Sequence, residues 1–431
     1  LELKDINVNQ LYKYHIMKRI NIFVAVILSL SLLNSCNNKT NQKEGNSIME
    51  SYEKGTFGYD LKYLSEKDSL IILKGEDDNA QVIISPKYQA KVFTSTVDGL
   101  SGKSIGFVGY KAFERDIPDE HMNGYGGENR FWLGPEGGQY SVYFEPNKPQ
   151  IYENWHTPKP IDIEAWDLVS ASEQKVLMKK DMSIQNYLGT NLKLNVDRHI
   201  EFLNAKKIKA MLDIDLTNLK SVAYSTKNTI TNKNDFEWTK QTGTISTWIL
   251  DMFIPSPNAI TVIPINEGNE SQLGKIVTDD YFGKIPEDRL NIKNNTLFFK
   301  TDGIQRGKLG INVFRSKGIA GNYDPDSKRL TIITFDVKKD KTYLNQEWDP
   351  TKDPLVGDAM NAYNDGPLDD GSIMGPFLEV ESCSPAAFLK PNESQTHHHN
   401  VFHIVGEANE LNPIAAKLLG VSIKEIINAL H

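Results

Sequence analysis

A chain of 431 residues with a net charge of −8 at pH 7 and no long basic run lacks the electrostatic footprint that a phosphate backbone requires, which excludes nucleic acid as a partner. Hydrophobic residues at 39%, charged residues at 24%, six Trp, 17 Tyr and 18 Phe supply a sizeable core and exclude general disorder. Such a length holds two or three average domains, or one large all-β unit, since β-sandwiches often run past ~200 residues.

Met17, Lys18 and Arg19 precede an apolar run from Ile22 to Leu33, which suits a secretory signal and is too short to span a bilayer. Leu33-Asn34-Ser35-Cys36 has the form of a bacterial lipobox, making Cys36 the lipidated first residue of the mature chain; an ordinary cysteine in a short buried helix is the alternative. Residues 1–16 carry no targeting logic, so 1–36 is read as a mis-assigned start plus a lipoprotein signal peptide. Residues 37–51, rich in Asn, Lys and Gln, form a flexible tether, and the acyl chains anchor the protein to the membrane on the periplasmic or outer-membrane side of the cell envelope. After Cys36 only Cys383 remains, so no disulfide forms within the mature domain, and its stability rests on burial.

Residues 52–431 are read as a single domain of short strands. Ser69 to Lys74 and Ala80 to Ser85 flank a polar turn and predict a hairpin. Leu192, Leu194, Val196 and Ile200 alternate with polar partners, and the run Lys207 to Leu216 is read in the same way. Further strands are predicted at 222–225, 243–253, 259–265, 296–301, 308–315, 329–337, 377–381 and 400–405. Turn residues between them and the near absence of interleaved helices predict an all-β, mainly antiparallel sandwich or barrel. At the C-terminus Asn412 is expected to cap a helix with Pro413 at its first position, and Ser422 a second short helix.

Two segments can carry chemistry. In 126–139, glycines permit close backbone approach, Trp132 offers a flat apolar face, and Glu128, Arg130 and Glu136 offer directional polar contacts, a combination suited to a sugar; a glycine-rich turn with a buried tryptophan is the alternative. In the second segment Asn364 and Asp365 precede a predicted strand on which Glu379 and Glu381, two apart, share one face. Paired carboxylates repel, so one pKa rises and that group becomes available for acid–base work; two solvated glutamates are the alternative.

The Gly-Trp-Pro-Glu segment at 126–139, with Leu378-Glu379, Ser384-Pro385 and Leu389-Lys390-Pro391-Asn392-Glu393-Ser394, resembles the galactose-mutarotase-like superfamily, and more closely its lipoproteins from polysaccharide-degrading Bacteroidota. The resemblance implies a β-supersandwich with short C-terminal helices. In aldose 1-epimerases of that superfamily, a late Leu-Glu pair supplies the base that takes the anomeric proton, and a histidine donates to the ring oxygen. Glu379 matches that glutamate, with Glu381 just behind it; Pro385 sits one residue later than the pattern, and the pattern does not place the histidine.

His397, His399 and His403 share one face of an extended strand and, with Glu379 or Glu381, are candidates for a divalent metal ion. Otherwise His399 is the proton-transferring partner and His397 a sugar contact, or all are surface residues. His156 and His199 are either spare acid candidates or structural residues, and Arg306, Lys308 and Arg315 either meet a uronic acid carboxylate or form a solvated strand face. Together these readings predict an exported lipoprotein that binds and processes carbohydrate through carboxylate–histidine chemistry as an epimerase, hydrolase or lyase. A noncatalytic glycan binder and a structural protein of the envelope are the alternatives. Sugar identity and oligomeric state stay open.

Overall fold

A computed structural model describes residues 52–368 and 370–430. Cys36, the apolar run before it and the whole tether at 37–51 lie outside the described residues. The first element among the described residues is helix α1 (Phe57–Ser65), whose first turn is capped by the Thr56 side chain. A three-stranded antiparallel sheet follows: β1 (Ile71–Lys74), β2 (Gln81–Ser85) and β3 (Lys91–Thr96), the first pair being the expected hairpin. The short helix α2 (Tyr110–Phe113) and strand β4 (Arg130–Gly134) come next.

The remaining strands are β5 (Asp167–Ala171), β6 (Lys175–Gln185), β7 (Asn191–Phe202), β8 (Lys220–Asn232), β9 (Ser246–Phe253), β10 (Ile260–Pro264), β11 (Leu290–Lys293), β12 (Thr296–Lys300), β13 (Gly307–Asn312), β14 (Ile319–Asp324), β15 (Arg329–Phe335), β16 (Asp358–Asn364), β17 (Leu378–Cys383) and β18 (Ser394–Val405). Ten of them form one sheet in the order β11-β12-β10-β14-β15-β18-β8-β7-β6-β5, and five form a second in the order β13-β16-β17-β9-β4. Every strand pairing in both sheets is antiparallel, as the period-two patterning predicts.

The two large sheets face one another across the main core, which includes Val196 and Val401 from the larger and Ile249 and Val380 from the smaller. Strands 15 and 18 are buried on both faces. Ile333 and Val401 point to that core, whereas Ile332, Phe402 and Ile404 pack outward against α3 (Ala205–Leu212), α5 (Ala408–Leu419) and α6 (Ile423–Ile427). Here α4 denotes the intervening turn Glu270–Leu273. The C-terminal helices are thus a packing layer on the back of the larger sheet.

Two local expectations are corrected. The run Lys207 to Leu216 is not a strand: Asn204 accepts a hydrogen bond from the Lys207 amide, and Ile208 and Leu212, one helical turn apart, are buried along α3. Helix α5 starts at Ala408, not at Pro413, because Glu407 and Glu410 close a reciprocal capping box; Pro413 falls inside the helix. Ser422 caps α6 as expected.

Candidate functional site

Strand alternation builds the site. On β17, Glu379, Glu381 and Cys383 face away from the larger sheet, and Leu378, Val380 and Ser382 face toward it. Register carries the same outward face across the smaller sheet: Trp248, Leu250 and Met252 on β9, Arg130 and Trp132 on β4, Asn361 and Tyr363 on β16, and Lys308 on β13. The glycines that enter β4 are explained by the backbone itself. Gly126 and Gly127 have φ of 78° and 124°, and a Cβ on Gly126 would lie 2.2 Å from the Phe107 carbonyl oxygen.

On this face Arg130 forms an ion pair with Glu379 and lies 5.1 Å over the ring of Trp132. Glu381 accepts from Trp248 Nε1 at 2.8 Å and from Lys308 Nζ at 3.2 Å. The Lys308 ammonium also sits 4.9 Å over Trp248 and 5.8 Å over Tyr281. Arg306, half-exposed, stacks 3.8 Å over Phe282 and bonds to Tyr363. Glu136, half-buried at the edge of the cluster, is bonded by the Trp348 side chain and is close enough to feel Lys308 and Glu381.

Four polar atoms here are buried without a partner: Glu381 Oε1, Arg130 Nε, Asn361 Oδ1 and Arg306 Nε. Such atoms carry a desolvation cost of about 1–3 kcal/mol each unless a ligand or water satisfies them.

Burial dominates the electrostatics. It pushes the Glu379 carboxyl up to about 8, with Arg130 opposing and Glu381 reinforcing the shift. The ion pair alone would hold this group ionised; its desolvation and the second carboxylate outweigh the guanidinium, so the direction is upward. Glu136 is raised by burial against the pull of Lys308. For Lys308 burial acts downward, yet Glu381, Glu136 and Glu379 together raise it. Lys91, whose ammonium donates to the Gly126 carbonyl at 3.1 Å, is pushed down to about 7 by burial and by Arg130.

The structure brings together Arg130, Trp132, Glu136, Glu379 and Glu381. Asp365 accepts from Tyr363 Oη at 3.1 Å and from the Gly375 amide at 2.8 Å, closing the loop beside this face. Asn364 points the other way and holds the 303–305 turn through Gly303 N and Gln305 O, both at 2.8 Å.

Glu128 and the histidines do not join the site. Strand 18 lies in the larger sheet between β15 and β8, so His397, His399 and His403 project into the space between the sheets, behind β17. His397 Nε2 and His399 Nδ1 each lie 2.8 Å from Ser382 Oγ, on the opposite side of the strand from Glu379 and Glu381. His399 Nε2 meets Asp251 at 2.7 Å, and His403 Nε2 meets Glu128 at 3.1 Å. The carboxylate partners of the imidazoles are therefore Asp251 and Glu128, not Glu379 or Glu381. Among the described residues, no group of three or more His, Cys, Asp or Glu side chains is placed to hold a metal ion.

Lys308 departs from a solvated strand face by being buried against Glu381. Arg315 is also buried, binding the carbonyls of Asn266, Gly268 and Gly274, and holds loops. Trp248, Tyr281 and Asn361 were not singled out in the sequence; for Trp248 and Asn361 the signal is cross-strand register, which a single strand does not display. A shallow surface depression of about 500 Å3 lined by Ile72, Lys74, Asp78, Gln81, Gly99, Leu100 and Glu173 shares no residue with this cluster.

Fold and site define a large antiparallel β-sandwich protein with a buried carboxylate–cation cluster on the outer face of its smaller sheet. The chain belongs to the family of unknown function DUF6786, whose profile matches residues 55–430. No curated protein matches it by sequence. Among solved structures it is similar to a galactose mutarotase-like protein from Lactobacillus casei ATCC 334, at 12% identity over 78% of this chain and 100% of that one, with a TM-score of 0.45. It is also similar to a galactose mutarotase related enzyme from Lactobacillus acidophilus, at 7% identity over 78% and 97% of the two chains, with a TM-score of 0.44. A third is the Slr1438 protein from Synechocystis sp. PCC 6803, at 13% identity, 79% and 96% coverage and a TM-score of 0.45.

Proposed function

We propose that the outer face of the smaller sheet binds a sugar and performs acid–base chemistry on it, with Glu379 as proton donor and Glu381 as the second carboxylate. The observation that carries this reading is the set of unpartnered buried atoms, Glu381 Oε1, Arg130 Nε and Asn361 Oδ1, on a face that also bears Trp132 and Trp248. Hydroxyl groups satisfy both donors and acceptors, and a sugar's apolar face suits a flat indole. A carboxyl raised to about 8 holds its proton at neutral pH and can deliver it. No histidine is required in this scheme; Arg130 and Lys308 stabilise negative charge as it forms.

A noncatalytic glycan-binding role is the second reading, favoured by the commitment of both glutamates to cations, Glu379 to Arg130 and Glu381 to Lys308. One experiment separates the two. Anomer exchange of free sugars is followed by NMR, and release of new reducing ends from oligosaccharides is measured, for the wild type and for Glu379→Gln and Glu381→Gln. The enzyme reading expects each variant to lose about 100-fold or more in turnover. Turnover unchanged in both variants ends it, and sugar binding without turnover in the wild type selects the binder.

The export reading belongs to the same proposal: a lipid on Cys36 would hold this domain at the cell envelope, where carbohydrate arrives from outside. Metabolic labelling with a fatty acid tests it, since Cys36→Ser should abolish incorporation.

A further inference from the structure

From the acid cluster an unbroken run of aromatic rings leads to the surface. Glu136, which senses Lys308 and Glu381, is bonded by Trp348. The Trp348 ring lies 6.1 Å from Trp155 at an interplanar angle of 21°, and Trp155 lies 6.3 Å from Tyr152 at 18°. On its inner side Trp155 is parallel within 5° to Tyr143, at 5.9 Å, and Tyr143 reaches Trp132 at 5.7 Å. These rings come from three stretches of chain, 132–143, 152–155 and 348; Tyr143, Tyr152 and Trp348 each lie within 21° of the Trp155 plane, whereas Trp132 is tilted 46° to Tyr143.

At the outer end Tyr152 stacks on His121, 4.5 Å away at an angle of 26°, and still leaves much of its ring in solvent. Tyr152 is 59% exposed, and its neighbour Ile151 is 49% exposed. Trp155, almost wholly buried, leaves its Nε1 donor without a partner. The largely exposed ring of Tyr152 and the half-exposed indole of Trp348 therefore flank the buried Trp155 with its unused donor, and the half-buried Glu136 links Trp348 to the sugar-binding face. Aromatic faces are electron-rich and attract the polarised C–H face of a pyranose, while a carboxylate and an N–H bind the hydroxyl rim.

We propose that this strip, from Glu136 and Trp348 to Tyr152, holds the sugars that follow the one at the acid cluster. The substrate class is then a chain end of an oligosaccharide or polysaccharide, not a free monosaccharide. The proposal rests on the sugar-binding reading above and adds length to it.

Calorimetric titration tests the proposal with two sets of probes: glucose, xylose and mannose against cellohexaose, xylohexaose and mannohexaose. The wild type should bind a hexasaccharide at least tenfold more tightly than its monosaccharide. Tyr152→Ala should lose about tenfold of that gain, one stacking contact of ordinary strength, and Tyr152→Phe should keep it. Because Tyr152 is exposed, the substitution leaves folding intact, which a thermal melt verifies. A wild type that binds monosaccharide and hexasaccharide equally, or a Tyr152→Ala protein that retains the full gain, overturns the strip while leaving the acid cluster as a monosaccharide site. Binding of no member of either set overturns both readings.

Discussion

His399 reaches Asp251 across the space between the two sheets, Nε2 to Oδ2 at 2.7 Å, with both side chains wholly buried. The contact joins β18 of the larger sheet to β9 of the smaller one, and Ser382 holds the other ring nitrogen at 2.8 Å. A Ser–His–Asp order therefore exists, but on the side of β17 turned away from Glu379 and Glu381, where it ties the layers together. Removing one partner leaves the other buried and unmatched. Asp251→Ala should cost about 3 kcal/mol or more of unfolding free energy, read from the urea midpoint. A midpoint unchanged from the wild type would show that the layers do not depend on this contact.

Glu379 makes activity depend on pH in a defined direction. If its proton is delivered in the reaction, kcat/KM should fall about tenfold per pH unit above about 8, the value to which burial raises this carboxyl. Stability follows the same group. Between the ordinary glutamate value of 4.5 and about 8 the native state binds the proton and the unfolded chain does not, so stability falls as pH rises through that window. Glu379→Gln should remove this downward contribution to the stability profile between pH 4.5 and about 8; a profile with the wild-type slope there would mean that Glu379 is ionised throughout by Arg130.

Much of the site was legible because a strand has a period of two. That rule alone places Glu379 with Glu381, Arg130 with Trp132, and His397 with His399 and His403. It does not say which sheet a strand joins. β18 pairs with β15 and β8, distant in sequence, and this pairing sends the histidines behind the glutamates instead of beside them. Trp248, and the pairing of Lys308 with Glu381, were hidden for a related reason, since both residues meet Glu381 only after β13 and β9 assemble around β16 and β17. The run from Lys207 was misread because Ile208 and Leu212 fit alternation as well as a helical turn, and only the Asn204 cap distinguishes the two.

Lys308 and Glu381 form the second buried ion pair of the face, and the pair should be stronger than either half. Lys308→Met leaves the Glu381 carboxylate with only the Trp248 indole as donor, and should lower stability by about 3 kcal/mol. Adding Glu381→Gln removes the stranded charge and should recover part of that loss. Denaturation of the two single variants and the double variant closes the cycle. Strictly additive losses would show that the ammonium and the carboxylate do not interact.

The acid side of the stability profile is assigned to His397. Burial, reinforced by His399, pushes its imidazole down to about 3, and its Nδ1 has no partner. Between the ordinary histidine value of 6.5 and about 3 the unfolded chain takes up a proton that the native state refuses, so stability is lost as pH falls through that interval. His397→Gln retains a group able to bond Ser382 but cannot be protonated there. The variant should therefore lose less stability than the wild type between pH 7 and pH 4.5, even if its midpoint at pH 7 is lower. Urea midpoints at the two pH values give the comparison as a difference within each protein, which separates the titration from the cost of the substitution. An equal acid loss in both proteins would assign the effect to other groups.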